Sequence, residues 1–419
     1  MRKNLFPIAA SALLMTGIAH AESSNDTSFN PKISVILDGA YYSDNVDGDG
    51  IERLDEMAGI LGGHGHEEDA HGHGGLSRGF NLRETELTLS GTVDPYLDAW
   101  LSVAFADGEA EVEEAYFETR GLPAGWKIKG GKFLSGVGYH NAQHLHSWDF
   151  ADQNLAYLSL FGDHGLVDSG VQVTYQPATS MYTLLGAEVL QGDQEKLGAS
   201  LDGEGLEEEA GPHLTTFFAK AAPDLGADHA LQFGLSYIHV GNHQEDHGDA
   251  DESPAVVELL EGEANVFGID TVYKMLPTGS YGQGGLKLQA EYFYLTKDLT
   301  IEDASEADEI GEEVTGEQDG FYIQAVYGFA PRWSIGARYS ATGMTNDLEE
   351  EEKVDLGESS RTTLALTWYP TEFSKFRLQF ARANISVFDE EEEQSNDDTF
   401  NQILLQYNIS LGAHGAHQF

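Results

Sequence analysis

The chain has no cysteine, so no disulfide contributes to its stability. Positive charge is scarce: 22 Lys and Arg face 71 Asp and Glu, a net charge of −49. A phosphate backbone would be repelled, which excludes nucleic acid as a partner. Beyond the first twenty residues or so, no stretch reaches the roughly 18 apolar residues that a membrane helix needs. Catalytic signatures are missing as well. No serine sits in a nucleophile elbow and no His-Glu-x-x-His helix is present, so an enzyme is not expected. Aromatic residues make up 11% of the chain, too many for a disordered acidic polymer.

The N-terminus has the build of a secretory signal. Arg2 and Lys3 precede an apolar run from Leu5 to Ile18, and Ala19-His20-Ala21 places small residues where a signal peptidase reads. The expected division is a signal peptide over 1–21 and a mature domain over 22–419.

From Ile33 onward the dominant pattern is alternation with a period of two. Ile403, Leu405, Tyr407, Ile409 and Leu411 share one phase, and Gln402, Gln406, Asn408 and Ser410 the other. Phe321, Ile323, Ala325, Tyr327 and Phe329 likewise oppose Tyr322 and Gln324. The links between these runs alternate between short and long. Each short link carries a proline, as in Asp94-Pro95-Tyr96, Pro277-Thr278-Gly279 and Ala330-Pro331-Arg332, where a fixed φ suits a turn and no ladder is obstructed. The long links are 45–79, 134–165, 191–212, 243–262, 298–317, 346–358 and 389–398, and they hold most of the acid runs. A tighter link over 106–111 belongs to the same side. About sixteen strands of roughly 9–11 residues, with both termini on the short-turn side, describe an all-β transmembrane antiparallel barrel. A sheet in lipid has no open edge, so it must close.

With the terminal strand Gln402–Leu411, the final Phe419 and the Lys127–Lys132 run entering a long third loop, the chain resembles sixteen-stranded Gram-negative outer-membrane porins, including the substrate-selective porin superfamily. The segment 134–165, with Gly136-Val137-Gly138-Tyr139-His140, is also loosely similar to zinc-linked outer-membrane proteins. The resemblance implies an outer-membrane location, passive diffusion of small solutes, and a third loop that narrows the lumen. It also implies partners in outer-membrane lipid and lipopolysaccharide, and a homotrimer.

Several residues then become candidates for chemistry. At the narrowing stand His140, His144, His146, Asp149, Asp152 and His164, where imidazoles and carboxylates would favour divalent cations. The same loop could instead pack on the wall through Trp148, Phe150, Tyr157 and Phe161. The bases Lys127, Lys129, Lys287, Arg338 and Arg377 fall on the polar phase of their strands and belong in the lumen, since mid-depth exposure to lipid costs roughly 2–4 kcal/mol. They either face acids across the pore or pair with Glu114, Glu118 and Glu291 to hold the wall. His64, His66, His71 and His73, with Glu67, Glu68 and Asp69, have the His-x-His spacing that suits zinc, or form only a solvated loop. Asn45, Asp47, Asp49 and Glu56 approach calcium-loop spacing, with Asn in place of the first Asp. No cofactor is required. The expected function is a porin related to cations or divalent metal. Its rival is a plugged barrel that binds metal or partners through its loops without transport.

Overall fold

A computed structural model describes residues 31–46, 50–55, 57, 76–106, 109–194, 196–199, 210–247, 258–305, 307–350, 353–389 and 394–412. Seventeen strands among them form a single sheet. They are β1 (Lys32–Asp44), β2 (Gly79–Asp94), β3 (Leu97–Ala106), β4 (Glu109–Thr119), β5 (Trp126–Leu134), β6 (Val167–Tyr175), β7 (Tyr182–Leu190), β8 (Leu214–Ala222), β9 (His229–Asp246), β10 (Glu258–Met275), β11 (Leu286–Ala304), β12 (Glu313–Ala330), β13 (Trp333–Glu349), β14 (Lys353–Asp355), β15 (Ser359–Thr371), β16 (Ser374–Asp389) and β17 (Gln394–Gly412). Sixteen make the wall, and β14 is a three-residue piece that pairs only with the outer end of β13. Every neighbouring pair is antiparallel. The ring closes where β1 meets β17, in register from Ser34↔Gly412 to Asp44↔Gln402. No backbone edge is left open to lipid, as the hydrocarbon demands.

The alternation in sequence becomes two faces. Leu235 and Ile323 are 62% and 55% exposed on the outer surface, while Gln406 and Gln379 are fully buried inside. Aromatic rings gather at both rims, as amphipathic rings do where lipid meets water. Trp333, Trp368 and Phe376 stack in a row near the turns, with centroids 5.9 and 5.8 Å apart. Tyr41 meets Phe80 at 5.1 Å near the loop end. Among the described residues no helix is long and apolar enough to cross a membrane.

Two expectations need correction. Strands β9 to β13 and β17 run 17–19 residues, well beyond nine to eleven. Pairing continues past the bilayer because the period of two persists into acidic sequence, as at Glu261↔Thr300 and Glu317↔Asp347. Residues 243–246, 258–262, 298–304 and 313–317 of the expected links are therefore strand. The inward phase is also not uniformly polar. Ile238, Val240, Ala264 and Val266 point inward and build a buried core with Tyr157, Leu160 and Phe161 of the third long-side loop.

That loop, residues 135–166, folds into the barrel. Its short helix α1 (Leu155–Phe161) packs against β12, β13 and β15. Asn154 caps the helix by accepting from the Tyr157 amide at 3.1 Å. Gly138 (φ +62) lets the chain pass close to the wall, where a Cβ would lie 2.3 Å from both Glu291 Oε2 and Tyr157 Oη. Part of the first loop enters too, bringing Leu54 and Met57 of 50–57 against Leu155 and Phe400.

The outward assignment of β9 is testable. Leu235→Arg is expected to destabilise the folded barrel by about 2–4 kcal/mol in urea unfolding from lipid vesicles, whereas wild-type stability would contradict that orientation.

Candidate functional site

The third loop crosses the lumen and is fastened at both ends. On its near side Glu291 accepts from the amides of Tyr139 (3.0 Å) and His140 (2.8 Å), from Tyr157 Oη (2.9 Å) and from Tyr322 Oη. Glu188 accepts from the Gly136 amide at 2.8 Å, and Lys220 donates to the Gly138 carbonyl at 2.8 Å. On the far side the barrel's bases take hold. Arg338 donates to the Asp152 carbonyl (2.9 Å) and carboxylate (2.5 Å), and Arg361 joins the same carboxylate at 3.3 Å. Arg377 donates to the Trp148 carbonyl at 3.0 Å, and Lys287 pairs with Asp149 at 2.7 Å. Lys375 donates to the His146 carbonyl and Arg83 to the Ala151 carbonyl.

These contacts assign roles that the sequence left open. Arg338, Arg377 and Lys287 hold the loop and do not stand free in the lumen. Asp149 and Asp152 are their partners. His140 is buried between Trp148 and Tyr157, with ring centroids 5.0 Å away in each case, and its Nε2 lies 2.8 Å from Gln153 Oε1. Burial, with the charges of Arg338 and Lys287 adding to it, holds His140 down to about 3. It is therefore a neutral packing residue and does not face the passage. Burial alone would raise Asp152, but Arg338 and Arg361 outweigh it and hold the carboxyl at about 2. Asp149 is lowered in the same way, chiefly by Lys287 acting against burial. His164 lines a pocket beside the loop, together with Glu113, Glu114 and His144.

The opposite side of the lumen, β2 to β5, has a different character. Lys127 pairs with Glu118 at 2.6 Å. Lys129 rests over the rings of Tyr116 and Phe133, 4.6 and 5.3 Å from their centroids. Beyond them sit four inward carboxylates, Glu84, Glu86, Glu113 and Glu114. A bulge at Ser102/Val103 lets Glu113 and Glu114 turn inward together. Residues 144–146 of the loop lie against this cluster. His144 Nε2 is 2.8 Å from Glu114 Oε2, and His146 Nδ1 is 2.9 Å from Glu86 Oε2. Burial would lower His144, but Glu86, Glu114 and Glu113 raise it well above its ordinary value. Among the described residues no Lys or Arg comes within 4 Å of any of the four carboxylates. Of these acids, sequence reasoning singled out only Glu114. Glu84 and Glu86 share the polar phase of β2 with Thr88, a signal that marks them as inward but not as clustered.

The candidate zinc ligands His64, His66, His71, His73, Glu67, Glu68 and Asp69 lie outside the described residues. So do Asp47, Asp49 and Glu56 of the calcium-spaced segment. The remaining member, Asn45, accepts from the Asn401 amide at 2.6 Å through its Oδ1.

A closed sixteen-stranded barrel narrowed by its own third loop defines an outer-membrane porin. The chain belongs to the family of phosphate-selective porins O and P, whose model matches residues 71–409. A protein of Aquifex aeolicus (strain VF5), described as uncharacterized, is 35% identical over 398 residues, spanning 93% of this chain and 80% of its own. The fold is similar to the outer membrane channel DcaP of Acinetobacter baumannii (TM-score 0.53, 12% identity, 91% and 96% of the two chains). It is similar also to an anion-selective porin from Comamonas acidovorans (0.51, 10%, 91% and 99%) and to OmpT of Vibrio cholerae in its trimer form (0.52, 10%, 91% and 99%). At these identities the likeness concerns fold alone.

The loop's anchors carry a pH dependence of definite sign. A depressed carboxyl stabilises docking fully above its unfolded value near 4, and the contribution fades as pH falls through about 2. Single-channel current is expected to stay steady from pH 7 to 4 and to grow noisy between about 4 and 2. Asp152→Asn is expected to be noisy already at pH 7. A quiet variant would contradict the anchoring role.

Proposed function

We propose that this porin passes small hydrophilic solutes by passive diffusion and favours cations, divalent ions among them. The observation that carries this reading is the division of charge around the loop. The bases on β11 to β16 are engaged with loop carbonyls and aspartates. The four carboxylates on β2 and β4 have, among the described residues, only His144 and His146 as basic groups within 4 Å. A solute moving between loop and wall therefore meets net negative potential, which raises local cation concentration. The overall charge of −49 acts in the same direction.

Phosphate selectivity is the second reading, supported by the family's description and by the free surface of Lys127, which is half-exposed. The His-rich stretch from His64 to His73 is proposed to bind zinc at the external mouth, on the strength of its composition. A homotrimer is proposed by analogy with the trimer form in which OmpT was solved.

Reversal potentials across a planar bilayer in a potassium chloride gradient separate the two readings. Cation preference is expected, with Glu113→Gln combined with Glu114→Gln lowering the permeability ratio severalfold. Anion preference in the wild type would overturn the cation reading. A silent bilayer, with no swelling of liposomes in small sugars, would favour a plugged binding barrel instead.

A further inference from the structure

We propose that Glu86, Glu113 and His144 form a binding site for one divalent transition-metal ion of the zinc type, on the inner wall beside the third loop. It is distinct from the His-rich stretch at 64–73, and it rests on ligand geometry and not on the ion preference of the pore.

The first observation is a pair of buried polar atoms without hydrogen-bond partners. Glu86 is 2% exposed, and its Oε2 accepts no hydrogen bond. His146 Nδ1, 2.9 Å away, also has none. The two atoms are in contact without an aligned hydrogen bond. A buried carboxylate oxygen left in this state is costly unless a cation compensates it. Glu84 Oε1, at the same cluster, is equally unpartnered.

The second observation is the spacing of the remaining ligand atoms. His144 Nδ1 lies 3.9 Å from Glu86 Oε2 and 3.7 Å from Glu113 Oε2. One ligand atom from each of Glu86, Glu113 and His144 falls within 4.8 Å of the others. Ligands about 2.0–2.2 Å from a tetrahedral ion sit roughly 3.3–3.6 Å from one another. The edges of 3.7 and 3.9 Å lie just beyond that range, so these three atoms are close to the spacing of an ion's shell.

The third observation is orientation. His144 Nε2 is 2.8 Å from Glu114 Oε2, which also accepts from the Leu134 amide at 3.0 Å. Once an ion displaces the Nδ1 proton and the Nε2 proton stays directed at Glu114, Nδ1 is the ring nitrogen nearer Glu86 and Glu113. A carboxylate behind a ligating imidazole is the usual support of a metal site. Glu86 is steadied in turn by Thr88, and Glu113 by Ser102. An imidazole among the ligands suits zinc and its neighbours, whereas calcium and magnesium take oxygen shells. A bound ion would tie the loop at 144–146 to β2 and β4, adding a third fastening to those at Glu291 and at the Arg and Lys residues.

The test uses the full-length protein purified in detergent, with His64, His66, His71 and His73 changed to Ala to remove zinc held by that stretch. Equilibration with zinc followed by metal analysis is expected to find one ion per chain, with nitrogen and oxygen neighbours in X-ray absorption. Glu86→Gln with His144→Ala is expected to abolish it, and Glu114→Gln alone to weaken it about tenfold to a hundredfold. Heat-modifiable electrophoretic mobility reports that each barrel is folded. Should the double variant not fold, the affinity of Glu114→Gln decides. No zinc in the four-histidine background, or affinity unchanged by these substitutions, would overturn the site. Anion preference in the bilayer would leave bound zinc unaffected, so failure of the cation reading is read separately from failure of the site.

Discussion

In hydrocarbon an unpaired backbone amide costs several kcal/mol, and the remaining architecture follows from that. The chain meets the requirement by pairing β1 with β17, so that every wall strand has two neighbours. Closure fixes the two faces. Once Leu405 and Tyr407 face lipid, Gln406 and Asn408 must face inward, because a slip of one residue would exchange the faces. The interior thereby fills with polar groups that need partners of their own. Asp38, for example, accepts from Gln406 and Asn408 across the closing seam.

The third loop answers much of that need. It carries backbone carbonyls, amides and two aspartates to buried bases and acids of the wall, each of which would be costly if left alone. Arg338, Arg361, Arg377 and Lys375 on β13 to β16 hold the loop at 146–153, while Glu188, Lys220 and Glu291 hold it at 136–140. The wall at β2 to β4, which residues 144–146 touch, is the part rich in carboxylates. Charge around the passage is thus a consequence of where the loop is anchored, and not of the total −49 alone. The same anchoring brings His144 to Glu113 and His146 to Glu86, residues 30 or more positions away in sequence.

Much of the wall was legible because period-two alternation and proline turns are local signals. The ends of β5 at Leu134 and β7 at Leu190 fall where those signals place them. The outer extensions of β9 to β12 were not legible, since acidic residues in a solvated strand look like loop. Nor was the inward core at Ile238 and Val240, because apolar residues on that phase are explained only by α1 packing on them. The inward direction of Arg338 and Arg377 could be read from phase. Their partners could not, because contacts at separations such as Arg377 to Trp148 depend on how a loop folds within a cavity. His140 shows the same limit, sharing a sequence neighbourhood with His144 and His146 while being buried in packing.

The docked loop is the element on which the charge division and the metal site both depend. Hydrogen–deuterium exchange of the protein in detergent or nanodiscs reads it directly, through the amides of Gly136, Tyr139, His140 and Ala151 that donate to Glu188, Glu291 and Gln379. Protection across 135–166 comparable to that of β5 and β6 is the expected result. Exchange within seconds, as for a solvated external loop, would contradict the account.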